Sequence, residues 1–167
     1  AIVKHLAELH GGKAAAENLP AIKAGLSDLR KEARDLGQVM SEDAVKGLDT
    51  LAATAQRLAG EPIEFLIAGT GHGDYAKALP GRFPDGNTRF LGWTRPDEFL
   101  PQIDVLAVPS LFREPFGRVV IEAFAHGVPV IGAQSGGIPE TIQPGVNGAL
   151  FAPGDDAALA AEIMNLA

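Results

Sequence analysis

From residue 46 onward, short apolar runs alternate with longer segments of helical character, and this alternation restricts the fold more than any other feature of the sequence. The apolar runs have the length of strands and lie at 63–69, 104–110, 128–133 and 148–152. The helical segments, recognised by apolar spacing or by a helix-start signal, lie at 46–60, 95–103, 115–127, 138–145 and 155–166. Short apolar strands that alternate with helices are typical of a parallel sheet covered on both faces. The sequence therefore predicts an α/β fold with a doubly wound parallel sheet.

The first 36 residues have a different character. Apolar residues between positions 26 and 36 recur at helical spacing among charged residues, and Gly37 is placed to end such a helix. We therefore divide the chain into a helical amphipathic segment of uncertain role, residues 1–36, and a Rossmann-like domain, residues 37–167.

The composition narrows the classes of function. With 14 basic and 21 acidic side chains the net charge is −7, which disfavours nucleic acid as a partner because a phosphate backbone attracts positive charge. The chain has no cysteine and its four histidines are scattered, so neither disulfides nor a metal site is expected. No apolar run reaches membrane-spanning length, and the N-terminus lacks the apolar core of a signal peptide. We expect a soluble, cytoplasmic protein.

Ligands of open α/β sheets bind outside the carboxyl ends of the strands, in the loops that lead into helices. In this sequence those loops are rich in glycine, proline and small polar residues, and they lie at 69–74, 92–98, 109–117 and 133–140. A helix that begins near Phe116 would direct free backbone N–H groups at a ligand outside the sheet, which favours an anion. We therefore expect a phosphate group to bind at this position.

Two glutamates, Glu114 and Glu122, bracket this helix start. They are eight residues apart, about two helical turns, so they cannot form a close carboxylate pair but could contact two parts of one extended ligand. A buried carboxylate needs a cation or hydrogen-bond donors. The alternative is that Arg118, Glu122 and His126 form a solvated stripe along one side of the helix, and spacing alone slightly favours this alternative.

A set of short motifs occurs in a fixed order through the chain. They include KGLD at 46–49, FLIAGTG at 65–71, TRFLGW at 88–93, DVLAVPS at 104–110, EPFGRVVIE at 114–122, GGIPE at 136–140 and GVNG at 145–148. In this order and spacing they resemble the donor-binding, C-terminal half of the retaining glycosyltransferases of family 4. Members of that family are two-domain enzymes of the GT-B fold that use nucleotide sugars in carbohydrate biosynthesis.

The resemblance implies roles for particular residues. Glu114 would accept hydrogen bonds from hydroxyls of the donor sugar, Glu122 would accept them from the ribose, and Lys46 would neutralise the leaving diphosphate. Glu114 and Lys46 are thus the implied catalytic residues. The amides implied to face the sugar and diphosphate belong to Phe116, Gly117, Arg118 and Val119. Thr94 and Arg95 are the implied neighbours of the nucleobase, and Gly71 belongs to a glycine turn near the site. The resemblance implies transfer with retention and no metal or cofactor.

One position departs from the family pattern. The family has an arginine a few residues before Lys-Gly that shares the diphosphate with the lysine, whereas this chain has Gln38. An amide does not neutralise a developing charge as a guanidinium does. Either Gln38 has a weaker role, or Arg118 or Arg95 compensates, or catalysis is reduced.

GT-B enzymes carry the acceptor and part of the catalytic machinery on an N-terminal domain. Only about 45 residues precede the first motif, which is too few for a second domain of roughly 100 residues. We therefore expect the acceptor-binding domain to be missing and the isolated chain to be inactive in transfer. Any peripheral membrane contact would then be made through the missing half.

Two other classes of function remain open. Gln38 and the short chain favour a non-catalytic module that binds a nucleotide sugar or carbohydrate, or a truncated partner subunit. A nicotinamide-dependent dehydrogenase would need G-x-G-x-x-G after a strand, and here Asp74 stands at the place of the third glycine. Turnover with an acceptor separates an enzyme from a module, and binding of a free nucleoside diphosphate separates both from a dehydrogenase.

Overall fold

The computed structural model describes residues 2–4, 42–71, 73–111, 113 and 117–166, with side chains from residue 47 onward. The strands in this part are β1 (Ile2–Lys4), β2 (Glu64–Ala68), β3 (Thr88–Gly92), β4 (Val105–Val108), β5 (Val130–Ala133) and β6 (Gly148–Phe151). Its helices are α1 (Glu42–Arg57), α2 (Gly73–Ala78), α3 (Pro96–Phe99), α4 (Arg118–Ala125), α5 (Ile138–Thr141) and α6 (Asp156–Leu166). Two 3-10 turns, Pro80–Arg82 and Leu100–Gln102, follow α2 and α3. Among the described residues, no helix combines the length and the apolar character that crossing a bilayer requires.

The strands form one sheet in the order β3-β2-β1-β4-β5-β6. Strands β2 and β3 are parallel to each other, and so are β4, β5 and β6. Helices connect these parallel strands, as a crossover between parallel neighbours requires. The predicted α/β class and the doubly wound arrangement are confirmed, and the order of the strands is that of a Rossmann fold.

Strand β1 differs from the prediction of a wholly parallel sheet. Ile2 lies opposite Leu66 of β2 and opposite Leu106 of β4, and β1 is antiparallel to both neighbours. A three-residue strand of either direction can pair with the backbone on its two sides, and so short a strand shows no readable alternation in sequence. Residues 2–4 therefore belong to the sheet, while the helix predicted within 26–36 lies outside the described residues.

The four predicted strands and the five predicted helical segments are all confirmed, with ends that differ by a few residues. Two further elements, β3 and α2, were not predicted. Strand β3 is an edge strand that pairs with β2 alone, and its residues Arg89 and Phe90 are exposed. Helix α2 has six residues, none of them buried. Neither element carries the apolar pattern that identifies the others.

The core consists of two layers, one on each face of the sheet. Successive residues of a strand point to opposite faces, so Phe65 and Ile67 of β2 join one layer while Leu66 joins the other. The first layer is completed by α1, α6 and the segment from Leu79 to Phe83. The second is completed by α3, α4, α5 and their flanking residues. This burial on both faces explains why the predicted strands lack a polar side.

The backbone of β5 lies close against Gly148 of β6. A Cβ atom at this position would lie 1.9 Å from the carbonyl oxygen of Val130. Only the absence of a side chain permits this approach, because a backbone carbonyl cannot move aside without disturbing its strand.

We expect Gly148→Ala to lower the free energy of unfolding by about 1–3 kcal/mol, since the added methyl group overpacks a backbone contact. Chemical denaturation measures the effect. Gly81→Ala is the matched control, because a Cβ at Gly81 meets no atom within 4 Å. Equal stability of the two variants would show that β6 can shift at no cost.

Candidate functional site

The winding direction of the sheet changes between β2 and β4. The chain runs outward from β2 to β3 on one side and outward from β4 to β5 and β6 on the other. In open α/β sheets, the crevice at such a change of direction is where ligands bind, outside the carboxyl ends of the strands. The candidate site therefore lies beside the loops that follow β2 and β4.

Helix α1 packs directly against the carboxyl end of β4. A Cβ atom at Gly47, which is buried, would lie 2.2 Å from the carbonyl oxygen of Pro109 and 3.7 Å from the Cα of Ser110. A side chain at position 47 would therefore push the helix away from the loop. This contact brings the backbone of Lys46 next to the loop that follows β4, although the side chain of Lys46 lies outside the described part.

Helix α4 begins at the other end of the same loop. Gly117 precedes it in the left-handed conformation, with φ 52° and ψ 47°, and is buried. Glycine adopts this conformation without the steric cost that other residues meet. The helix thus begins at Arg118, two residues later than the start predicted near Phe116. The amino end of α4 and its dipole are directed at the carboxyl edge of the sheet, where an anion is favoured.

Glu122 is buried within α4, with only 5% of its surface exposed. The Arg118 guanidinium lies beside it, with Nη2 3.9 Å from Glu122 Oε1. Removing a carboxylate from water is costly unless cations and hydrogen-bond donors surround it. Glu122 lies one turn after the start of α4.

The solvated-stripe alternative is wrong for Glu122. Its carboxylate is buried, and His126 contacts the backbone and not the carboxylate, since its Nδ1 lies 2.8 Å from the Glu122 carbonyl oxygen. The Arg118–Glu122 pair that the stripe assumed does form. The burial comes from the packing of α4 on the sheet, where Val120 and Ala123 are fully covered.

Thr94 and Arg95 lie beyond the carboxyl end of β3. The Thr94 hydroxyl donates to the Gly92 carbonyl oxygen at 3.4 Å. Arg95 forms an ion pair with Asp97 through two nitrogens, and its Nε lies 3.8 Å from Glu98. The hydrogen bond and charge of Asp97 raise the pKa of Arg95 above its ordinary value. Two carboxylates thus already balance the charge of Arg95, which makes it a weak candidate to compensate for Gln38.

The turn after β2 packs tightly on the helix that follows it. A Cβ atom at Gly71 would lie 2.8 Å from the Cβ of Ala76. Gly71 therefore has a steric reason to be glycine, whatever its distance from a ligand. In the turn after β3, Trp93 is 69% exposed, which its position in the sequence did not predict.

Glu114, Phe116 and Gln38 lie outside the described residues, so their implied roles stay predictions. Within the described part, the start of α4, Glu122 and the Lys46 backbone are brought to one edge of the sheet. Thr94 and Arg95 lie at the same edge, beyond β3. No group of three or more His, Asp or Glu side chains in this part is arranged to hold a metal ion.

The chain is similar to known glycosyltransferases. The profile of the family described as "Glycosyl transferases group 1" matches residues 36–167. Because the match covers more than half of the sequence, the chain belongs to the group 1 glycosyltransferases.

Several curated proteins share part of the sequence. The lipopolysaccharide core biosynthesis glycosyltransferase LpsE of Rhizobium meliloti is 34% identical over 113 residues, which are 66% of this chain and 32% of the relative. D-inositol 3-phosphate glycosyltransferase of Mycolicibacterium vanbaalenii is 35% identical over 142 residues, 72% of this chain and 31% of the relative. The chain thus spans about a third of the length of these relatives.

Solved structures share the fold. The Anabaena protein Alr3699/HepE in complex with UDP and glucose matches with a TM-score of 0.64 and 29% identity, over 83% of this chain and 42% of that one. Sucrose-phosphate synthase from Thermosynechococcus elongatus also matches with a TM-score of 0.64 and 29% identity, over 75% of this chain and 33% of that one. The α/β domain is therefore of the kind found in GT-B glycosyltransferases.

We expect Gly47→Ala to lower the free energy of unfolding by about 1–3 kcal/mol, because the methyl group would collide with the Pro109 carbonyl. Gly60→Ala, in the turn that follows α1, is the control, since a Cβ there meets no atom within 4 Å. Denaturation curves of the two variants and the parent measure the difference. A Gly47→Ala protein as stable as the Gly60→Ala protein would contradict the close packing of α1 on β4.

Proposed function

We propose that this chain binds a nucleoside-diphosphate sugar at the carboxyl edge of the sheet and transfers the sugar, with retention of anomeric configuration, to an acceptor. The observation that carries the proposal is the close contact of Gly47 with Pro109. It brings α1, which bears Lys46, to one end of the loop 109–117, while α4 begins at the other end. A cation and a helix amino terminus would then both interact with the same anion.

The diphosphate would lie between these two elements. The first-turn N–H groups of α4, from Arg118 and Val119, would donate to its oxygens, together with those of Phe116 and Gly117. Lys46 would add a positive charge to the leaving phosphate. Oriented donors and a cation stabilise a leaving diphosphate without proton transfer at the moment of bond cleavage, and we propose that no metal or cofactor is needed.

The two glutamates would bind the two ends of the donor. Glu122 is buried on α4, one turn after the helix start, and we propose that the two vicinal hydroxyls of the ribose donate to it. Glu114 would accept hydrogen bonds from hydroxyls of the sugar. Thr94 and Arg95 would lie near the base, because they follow β3 at the same edge of the sheet.

In the transfer step, the bond between the anomeric carbon and the diphosphate oxygen breaks. The acceptor oxygen forms its bond to the same carbon on the same face, which retains the configuration. The proton of the acceptor hydroxyl passes to the departing diphosphate. Gln38 would support this departure less than the arginine of the family, because an amide carries no charge.

The names of similar proteins support a sugar nucleotide as donor. The Anabaena protein has been solved in complex with UDP-glucose, and the curated relatives are named as glycosyltransferases. A uridine nucleotide is therefore the first donor to test. We propose a cytoplasmic location for the reaction, which the absence of cysteine accommodates.

The acceptor side of the cleft is a separate part of the proposal. Since the chain matches about a third of its relatives, we propose that a further domain holds the acceptor and completes the catalytic geometry. The 167-residue chain by itself would then bind the donor and hydrolyse it slowly at most, because positioning of the acceptor is absent. The second candidate is a non-catalytic nucleotide-sugar module, favoured by Gln38.

Binding of nucleotides tests the proposed site. We expect the chain to bind uridine, guanosine or adenosine diphosphate at least about tenfold, or ~1.4 kcal/mol, more tightly than the matching monophosphate. The reason is that Lys46 and the backbone N–H groups at the start of α4 would both bind the second phosphate. Titration calorimetry measures both affinities. Equal affinities for the two nucleotides would refute the diphosphate site.

The two glutamates should affect binding differently. Glu122→Ala should weaken a sugar-free nucleoside diphosphate by about 1–3 kcal/mol, because charge-assisted hydrogen bonds to the ribose are lost. Glu114→Ala should spare the sugar-free nucleotide and weaken only the nucleotide sugar. Glu61→Ala, an exposed carboxylate at the amino end of β2, is the control. A Glu122→Ala protein that binds the free nucleotide like the parent would show that Glu122 is purely structural.

A further inference from the structure

Three side chains form a cluster between α1 and the segment that follows β2. The Tyr75 hydroxyl of α2 donates a hydrogen bond to Asp49 Oδ1 at 2.9 Å. Arg82 Nη1 forms an ion pair with the same oxygen. The guanidinium carbon of Arg82 also lies 4.8 Å from the centre of the Tyr75 ring. One carboxylate is thus held by two groups that also contact each other.

A second residue of α1 also holds Arg82 in place. Gln56 Nε2 donates a hydrogen bond to the carbonyl oxygen of Arg82 at 2.8 Å. Burial, followed by the hydrogen bond to Asp49, raises the pKa of Tyr75 to about 12. The phenol therefore keeps its proton and remains a donor to Asp49 throughout the neutral pH range.

The ion pair in this cluster contributes little to stability. The Arg82 and Asp49 side chains are 44% and 40% exposed, and exposed ion pairs contribute little to folding. The position of Asp49 is more informative, because it follows Lys46 by three residues in α1. Residues three apart in a helix are neighbours on its surface, so an unrestrained Asp49 carboxylate would be within reach of a lysine at position 46.

We infer that Tyr75 and Arg82 are positioning residues that hold the Asp49 carboxylate away from Lys46 and so keep the lysine charge available to the diphosphate. The ligand is the nucleoside diphosphate of the proposed function, on which this inference rests. A carboxylate that paired with Lys46 would compete with the phosphate oxygens for the same cation. The cluster therefore sets the strength of diphosphate binding without touching the ligand.

The inference can be tested in the 167-residue chain by a substitution that weakens binding and a second substitution that restores it. The ligand is whichever of uridine, guanosine and adenosine diphosphate binds the parent most tightly, with the matching monophosphate as comparison. We expect Arg82→Gln to weaken the diphosphate by about three- to fivefold and the monophosphate by less than about twofold, since an exposed charge pair has a modest effect. Asp49→Asn in the same protein removes the competing charge and should restore the diphosphate affinity to within about twofold of the parent.

The outcome distinguishes a positioning role from a structural one. If the cluster only supports the fold, the Arg82→Gln/Asp49→Asn protein would bind the diphosphate as weakly as Arg82→Gln or more weakly, and the inference would be overturned. An Arg82→Gln protein with parental affinity would overturn it as well. Should Arg82→Gln fail to fold, Tyr75→Phe provides the same test, because it removes the donor to Asp49 and keeps the ring. Asp49→Asn should again restore binding.

Lys46→Met separates this inference from the proposed function. If Lys46→Met leaves the diphosphate affinity unchanged, the proposed diphosphate site is wrong and the cluster has no lysine to protect. If Lys46→Met weakens the diphosphate while Arg82→Gln does not, the proposed site stands and the role of the cluster is refuted. Thermal unfolding of every variant shows whether a loss of binding reflects a loss of fold.

Discussion

Burial of the sheet on both faces is the constraint on which the other features depend. Strands β4 and β5 are buried along their whole length, so helices must cover each face. Polar chemistry is then confined to the edges of the sheet, where loops connect strands to helices. Because α1 lies against the end of β4 at Gly47 and α4 begins after the same loop, that edge brings together a lysine-bearing helix and a helix amino terminus.

Glu122 shows how tertiary packing decides what a local pattern means. In sequence, Arg118, Glu122 and His126 have the spacing of a solvated stripe. In the structure, α4 packs on the sheet through Val120 and Ala123, and this packing carries Glu122 into the interior. The Arg118–Glu122 pair forms in both cases, so the pair itself does not distinguish them. The solvated stripe and the buried arrangement differ in the exposed fraction of the Glu122 carboxylate. Residue spacing alone does not predict this fraction.

The sequence predicted the elements that are buried on both faces, because such strands are continuous apolar runs. It missed β3, whose Arg89 and Phe90 are exposed at the edge of the sheet, and β1, which has three residues. Within the KGLD motif the resemblance implied a role for Lys46 alone, because nothing in the local sequence shows that Gly47 meets Pro109 or that Asp49 meets Arg82. The Asp49–Arg82 contact joins residues 33 positions apart in the chain, and contacts at that separation follow from the assembled fold.

The charges near the candidate site limit how Gln38 can be compensated. Arg95 is paired with Asp97 and lies 3.8 Å from Glu98, and Arg118 lies beside the buried carboxylate of Glu122. Diverting either arginine to a diphosphate would leave a carboxylate with less compensation, and for the buried Glu122 this cost would be the larger one. Ribose hydroxyls that donate to Glu122 would reduce that cost. In the proposed function, nucleotide binding would thus release part of the Arg118 charge to the phosphates, and recognition of the ribose would be coupled to neutralisation of the leaving group.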